Sequence, residues 1–191
     1  SDDLKAGVRL ATGPLDDPRS TNQTFDDTFE KKNFNLDQAY LEYAPTVSLL
    51  DRLAVTGGLM DNPFWTVGSM LWDYDLSFAG IAAQLEDAVG PVALFTNTGV
   101  FPIDSDRFGG RTPTLWSIQS GASVKPLEGS DLEVLDQLTL TAAFAYHDYL
   151  NTAKQALVNT ASGNTASVED FNELNPTVQL ATALGGIPVE L

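Results

Sequence analysis

The sequence predicts an all-β fold, an antiparallel up-and-down sheet that forms part of a transmembrane β-barrel, and three observations lead to this prediction. Apolar and polar residues alternate with a period of two in about eight segments. Short and long connections between these segments follow one another in strict order along the chain. The residues on the non-apolar parity are charged, amide, hydroxyl and glycine residues, which fit a wetted surface better than a packed core.

The alternation defines the strands. They are predicted around residues 4–10, 38–43, 53–60, 78–86, 92–100, 116–125, 137–147 and 177–184, and a ninth begins after Gly185-Gly186. In the clearest of them, Leu138, Leu140 and Phe144 share one face of a strand, whereas a helix would not place them on one apolar stripe. A single helix is predicted, a short one at residues 151–158 inside a long connection.

The order of connections separates a barrel from a sandwich. Short links are predicted at residues 47–52, 87–90, 126–131 and 185–186, and long ones at 14–35, 61–75, 102–113 and 151–176. Barrels of the outer membrane have short turns at one end and long loops at the other. A soluble β-sandwich mixes its loop lengths, and long irregular loops are unusual in a compact soluble domain.

Composition excludes several classes of protein. The formal net charge is −16, from 26 acidic and 10 basic residues, so nucleic acid is not an expected partner. The absence of cysteine excludes disulfides, thiolate metal sites and cysteine nucleophiles. No stretch approaches the roughly 20 apolar residues of a membrane helix. A mean hydropathy near zero is compatible with a barrel, because its strands alternate.

Both ends of the chain look cut. It opens at Ser1 without a methionine or a signal peptide, and it ends at Leu191 within an expected strand. We therefore expect residues 1–191 to form a single barrel segment, truncated at both ends, whose closure needs further strands.

The polar parity predicts the lining of a water-filled pore. Its members are Lys5, Arg9, Gln38, Glu42, Gln84, Asn97, Gln119, Lys125, Thr139 and Thr141. On the apolar parity, Trp116, Phe144 and Tyr146 are predicted near the long-loop end and Tyr43 near a short turn, as in the aromatic girdles of barrels. The alternative is a one-sided sheet with a solvated face, as in a soluble β-sandwich binding domain of the cell surface.

Acidic residues concentrate in the predicted long loops. No cofactor is expected, except that Asp104 and Asp106 form the best local fragment of a Ca²⁺ site, although no complete calcium-binding loop is present. The default interpretation is solvated loops, bridged by divalent ions to lipid phosphates. Acids at the mouth of a pore would favour cations, whereas Lys5, Arg9 and Lys125 could offset them.

Two further features of the sequence bear on function, a single histidine and an aromatic-rich loop. His147, the only histidine, lies beside Asp148, but the sequence has no G-x-S-x-G motif, so a lipid-hydrolysing enzyme is not predicted. The segment from Asn62 to Asp75 carries too many aromatic residues for a solvated loop. The favoured interpretation is packing on the barrel rim, and the alternative is folding inward to narrow the pore.

Several stretches resemble one known family. They are Leu4–Gly13, Ser20–Thr24, Asn35–Tyr43, Gly57–Trp65 and Leu71–Gly80, which in this order and spacing resemble the putative porin family of Gram-negative outer membranes. The resemblance covers most of residues 1–110. It implies a larger barrel in the outer membrane, of which this chain is about half. It also implies passive diffusion of small polar solutes or ions, contact with lipid and lipopolysaccharide, a homo-oligomer as one option, and no catalytic residues.

Overall fold

The computed structural model describes residues 3–13, 20–22, 34–69, 71–103, 112–153, 169–184 and 187–190. They form one nine-stranded antiparallel sheet in which every strand pairs with its neighbour in sequence. The strands are β1 (Leu4–Ala11), β2 (Asn35–Tyr43), β3 (Arg52–Met60), β4 (Phe78–Val89), β5 (Val92–Pro102), β6 (Thr114–Val124), β7 (Thr139–Leu150), β8 (Phe171–Leu184) and β9 (Ile187–Glu190). The predicted all-β, up-and-down fold is confirmed.

The sheet is not closed, which fits a partial barrel. Within the described residues, β1 pairs with β2 alone and β9 with β8 alone, so both outer strands present an edge. One irregularity in register lies between Arg9 and Leu10, where Asp37 has no opposite residue, as in a β-bulge.

Helix is almost absent from this part of the chain. One short helix, α1 (Glu133–Asp136), lies in the β6–β7 connection, where a turn was predicted. The predicted helix at residues 151–158 lies mostly outside the described residues. No described helix is long and apolar enough to cross a bilayer.

The two faces of the sheet differ in chemistry, because successive side chains of a strand point to opposite faces. We call the apolar side the outer face. Its large side chains are exposed from one edge of the sheet to the other, for example Val8 at 73%, Ile81 at 63% and Val178 at 63%. Trp116, Phe144 and Tyr43 are exposed there too. Exposed apolar side chains on strands from β1 to β9 suit contact with lipid.

The opposite side, the inner face, carries buried polar side chains together with a small apolar cluster. The polar residues include Gln38, Thr56, Asn97 and Thr141. The cluster is centred on Met60, Phe64, Phe78, Ala82, Phe101 and Leu115. Except for Phe64 and Ala82, these residues lie at strand ends that meet the long connections. The inner face is therefore apolar near the long loops and polar towards its middle.

Gly58 allows β2 and β3 to approach closely. Its φ of +124° lies in a region that residues with a side chain rarely adopt. A Cβ at this position would overlap the carbonyl oxygen of Ala39 on β2. Glycine is thus required here both by the backbone conformation and by the neighbouring strand.

Candidate functional site

The structure places most of the predicted pore-lining residues within strands, on the inner face. The register sets Lys5 opposite Glu42 and Arg9 opposite Gln38 at the β1 edge. Thr139 and Thr141 lie on the same face of β7, where Thr141 is opposite Gln179. Lys125 is the exception, because it follows the last residue of β6 and is exposed in the turn. Whether these residues line a pore stays a prediction.

A row of polar side chains crosses the middle of the inner face. The register sets Gln84 opposite Asn97, and Asn97 opposite Gln119. The Nδ2 group of Asn97 donates a hydrogen bond to Oε1 of Gln119 at 3.1 Å, and both residues are buried. Because a side chain held in this way has a defined orientation, the amide of Gln119 is ready to bind a further partner.

That partner is the segment between β3 and β4, described at residues 61–69 and 71–77, which we call the inner segment. Gln84 donates from Nε2 to the carbonyl oxygen of Pro63 at 2.9 Å. Gln119 accepts from the backbone N–H of Trp65 and donates to its carbonyl oxygen, each at 2.8 Å. The inner segment therefore lies against the middle of the sheet. The interpretation that it packs on the rim is wrong, and the alternative, inward folding, is what the structure shows.

Aromatic contacts hold the inner segment on the same face. Phe64 is 5% exposed, and its ring meets those of Phe78, Phe101 and His147 edge-on, with centroids 6.3, 6.1 and 5.6 Å away. Trp72 contacts Phe78 and His147 in the same manner at 5.1 and 5.7 Å. Burial of one such ring stabilises a fold by roughly 1.5–3 kcal/mol. The aromatic residues that made this segment distinctive thus form its packing surface.

His147 lies beneath these rings and forms a hydrogen bond with the neighbouring strand β6. Its Nδ1 is 2.8 Å from Oγ of Ser117, its register partner on β6, and the two residues are 1% and 0% exposed. Each group satisfies the other where water is excluded. This pair is not predicted by the sequence alone. The shared parity of Ser117 and His147 was visible in the sequence, but the register that sets them opposite each other was not.

Arginines near the β1 edge are paired with carboxylates. Arg9 binds Asp37 and, at 3.2 Å, Asp61. Arg52 binds Glu86 at 2.7 Å and lies 3.8 Å from Glu42. The positive charge of Arg9, which could have offset the acids, is therefore balanced locally by two carboxylates.

The predicted Ca²⁺ ligands Asp104 and Asp106 lie outside the described residues. Among the residues that are described, no group of three or more candidate ligands could hold a metal ion. Instead, loop acids there accept hydrogen bonds from the protein: Asp75 from Thr21, and Asp170 from Thr152 and Ala153. The hydrogen bond from the backbone of Ala153, followed by bonds from Thr152 and Asn151, holds the pKa of Asp170 below its ordinary value.

The inner segment leaves an open cavity on each of its sides. One, of about 460 Å³, lies between the segment and strands β7 and β8. The other, of about 410 Å³, lies between Pro63–Trp65 and the turn ends of β4 and β5. The inner segment thus covers part of the inner face and leaves open space on both of its sides.

Comparison with known proteins agrees with this architecture. The family model described as putative porin matches residues 1–181, well beyond the stretch in which the sequence shows the resemblance. No curated protein and no solved structure gives a significant match. With a match over nearly all of its length and an open up-and-down sheet, the chain belongs to the putative porin family.

Proposed function

We propose that the protein is part of an outer-membrane channel through which small polar solutes and ions diffuse passively. The observation that carries the proposal is the separation of the two faces: exposed apolar side chains on the outer face, and amide, hydroxyl and charged side chains on the inner face, several of them partly exposed. The outer face meets lipid, and the inner face provides polar partners that replace part of a solute's hydration. Membership of the putative porin family supports a channel rather than an enzyme.

The inner segment sets the width of this channel. It is fixed by hydrogen bonds to β4 and β6 and by ring contacts with β4, β5 and β7. Solutes pass through the space that remains beside it. A channel of this design discriminates mainly by size and charge.

The channel prefers cations. The net charge is −16, and the inner-face arginines Arg9 and Arg52 are each shared between two acids. The residual negative potential enriches cations at the mouth and repels anions, and it weakens as salt is added.

Planar-bilayer recording tests the proposal. The protein folded in detergent is added to a bilayer under a KCl gradient. It is expected to give stepwise conductance, with a reversal potential shifted from zero towards the equilibrium potential of K⁺. Anion-selective steps would refute the cation preference. Protein that stays monodisperse without detergent and gives no conductance would favour the alternative, a soluble cell-surface binding domain.

A further inference from the structure

The cavity between the inner segment and strands β7 and β8 has the features of a ligand site. Its volume of about 460 Å³ lies within the range of small-molecule pockets. Aromatic residues of the inner segment (Phe64, Trp65 and Trp72) line one side. Polar side chains of the sheet (His147, Glu173 and Asn175) line the other.

Glu173 gives this cavity its charge. Among the described residues that line the cavity, it is the only acidic one, and none of them is a lysine or an arginine. Within the described part of the chain, no lysine or arginine forms an ion pair with Glu173, in contrast to Glu42 and Glu86. The register places Glu173 opposite His147, so its side chain lies on the inner face.

An aromatic wall facing an unneutralised carboxylate favours a particular chemistry. The face of an indole or phenyl ring attracts a cation, and a nearby carboxylate adds direct Coulomb attraction. Anions are repelled by Glu173. A neutral solute gains apolar contact but leaves the carboxylate without a counter-charge.

The geometry points to a binding site for small organic cations, of the ammonium or guanidinium class, in this cavity. The cation lies between the rings of Trp65 and Trp72 and the carboxylate of Glu173, and Asn175 supplies a polar contact. The inference rests on the proposed function in one respect, namely that the cation reaches the cavity from a water-filled interior.

Choline and its uncharged isostere 3,3-dimethylbutan-1-ol are suitable probes, because they differ in charge and hardly in shape. Isothermal calorimetry on the protein in detergent micelles is expected to show choline binding at least about tenfold more tightly than the isostere. Glucose is the third probe and tests whether the cavity prefers a neutral, hydroxylated solute. Equal affinity for choline and its isostere, or tighter binding of glucose, would overturn the assignment.

Two substitutions locate the site. Glu173→Gln keeps the shape of the side chain and is expected to weaken choline binding about tenfold. Trp65→Leu removes a ring but retains the backbone groups that bind Gln119, and a loss of about threefold to tenfold is expected. Glu128→Gln, which removes one charge in the exposed β6–β7 connection, is the matched control and should leave affinity unchanged. Heat-modifiable gel mobility confirms that each variant is folded.

The outcomes separate the site from the channel. Choline binding that is unaffected by Glu173→Gln overturns the site. The channel proposal does not depend on that result, because it is tested by conductance measured on the same preparation. Choline binding that depends on Glu173 in a protein without conductance supports the site and refutes the channel.

Discussion

The side-chain amide of Gln119 forms two hydrogen bonds with the backbone of a single residue, Trp65, one to its N–H and one to its carbonyl oxygen, each at 2.8 Å. A neighbouring β-strand would bond Trp65 in the same manner. The side chain of Gln119 on β6 thus forms the two bonds that a neighbouring strand would form, and it holds a segment that is not itself part of a strand. The position of the inner segment at Trp65 is therefore set by this one amide.

Gln119→Leu is expected to loosen the inner segment. It removes both bonds to Trp65, a loss of roughly 1–3 kcal/mol for two hydrogen bonds, and it leaves Asn97 without an acceptor. We expect larger and noisier single-channel conductance in planar bilayers. Gln179→Leu, on the inner face of β8, is the control and should leave the conductance unchanged. Identical traces for the two variants would mean that the inner segment does not limit the flow of ions.

Ser117→Ala is expected to destabilise the fold without changing the pore. The substitution leaves Nδ1 of His147 buried without the hydroxyl it contacts. An unsatisfied buried group costs roughly 1–3 kcal/mol, which would lower the midpoint of urea unfolding in detergent. Ser48→Ala, in the exposed turn between β2 and β3, should cost less than about 0.5 kcal/mol. Equal midpoints would show that the Ser117–His147 contact contributes nothing to stability.

Arg9→Gln is expected to increase the preference for cations. It removes the positive charge that lies between Asp37 and Asp61 and leaves both carboxylates on the inner side of the sheet. Under a KCl gradient at low salt, the reversal potential should move further towards the K⁺ potential, and the difference should shrink near 1 M salt. Lys125→Gln removes the same charge from the exposed turn and is expected to have the smaller effect. The opposite ranking would contradict the role assigned to the Arg9 ion pairs.

Asp170 is expected to make the base of the β7–β8 connection sensitive to acid. Hydrogen bonds to its carboxylate, first from Ala153 and then from Thr152, lower its pKa. A lowered pKa stabilises the folded contact above the ordinary aspartate value of about 3.9, and the benefit is lost as the pH falls through the folded value. The amide resonances of Thr152 and Ala153 should therefore titrate together below about pH 4. In Asp170→Asn that transition should be absent, and its persistence would point to another acid.

The sequence was sufficient to predict the fold class, the up-and-down order of the strands and the face on which a residue lies, because these depend on the period of alternation and on loop length. Alternation identified which residues of each strand share a face. The register confirms that Gln84, Asn97 and Gln119 share the inner face, and it also sets them in one row, which the sequence does not predict. Strand ends were predicted less well, as for β8, which begins at Phe171 and not near Thr177. At that end of the strand the apolar Phe171 lies on the inner face and the polar Asn172 on the outer face, which reverses the alternation of the rest of β8.

The inner segment could not be placed from the sequence, since its position depends on contacts over long separations. Trp65 and its partner Gln119 are 54 residues apart. Aromatic content alone fits packing on the rim and packing inside equally well. The hydrogen bonds from the amides of Gln84 and Gln119 to backbone groups of Pro63 and Trp65 decide between the two positions, and the sequence does not reveal them.

The anchoring of Trp65 on β6 also constrains the order in which the protein assembles. The inner segment leaves the sheet after β3 and returns at β4, but the strand that fixes it is joined only after β4 and β5 have paired. If strands are added in chain order, the segment has no stable place until β6 has joined the sheet. Contacts across such a separation form slowly, because a long loop must be closed before they are gained. The inner segment therefore takes its final position on the inner face late, after strands β1 to β6 have already paired.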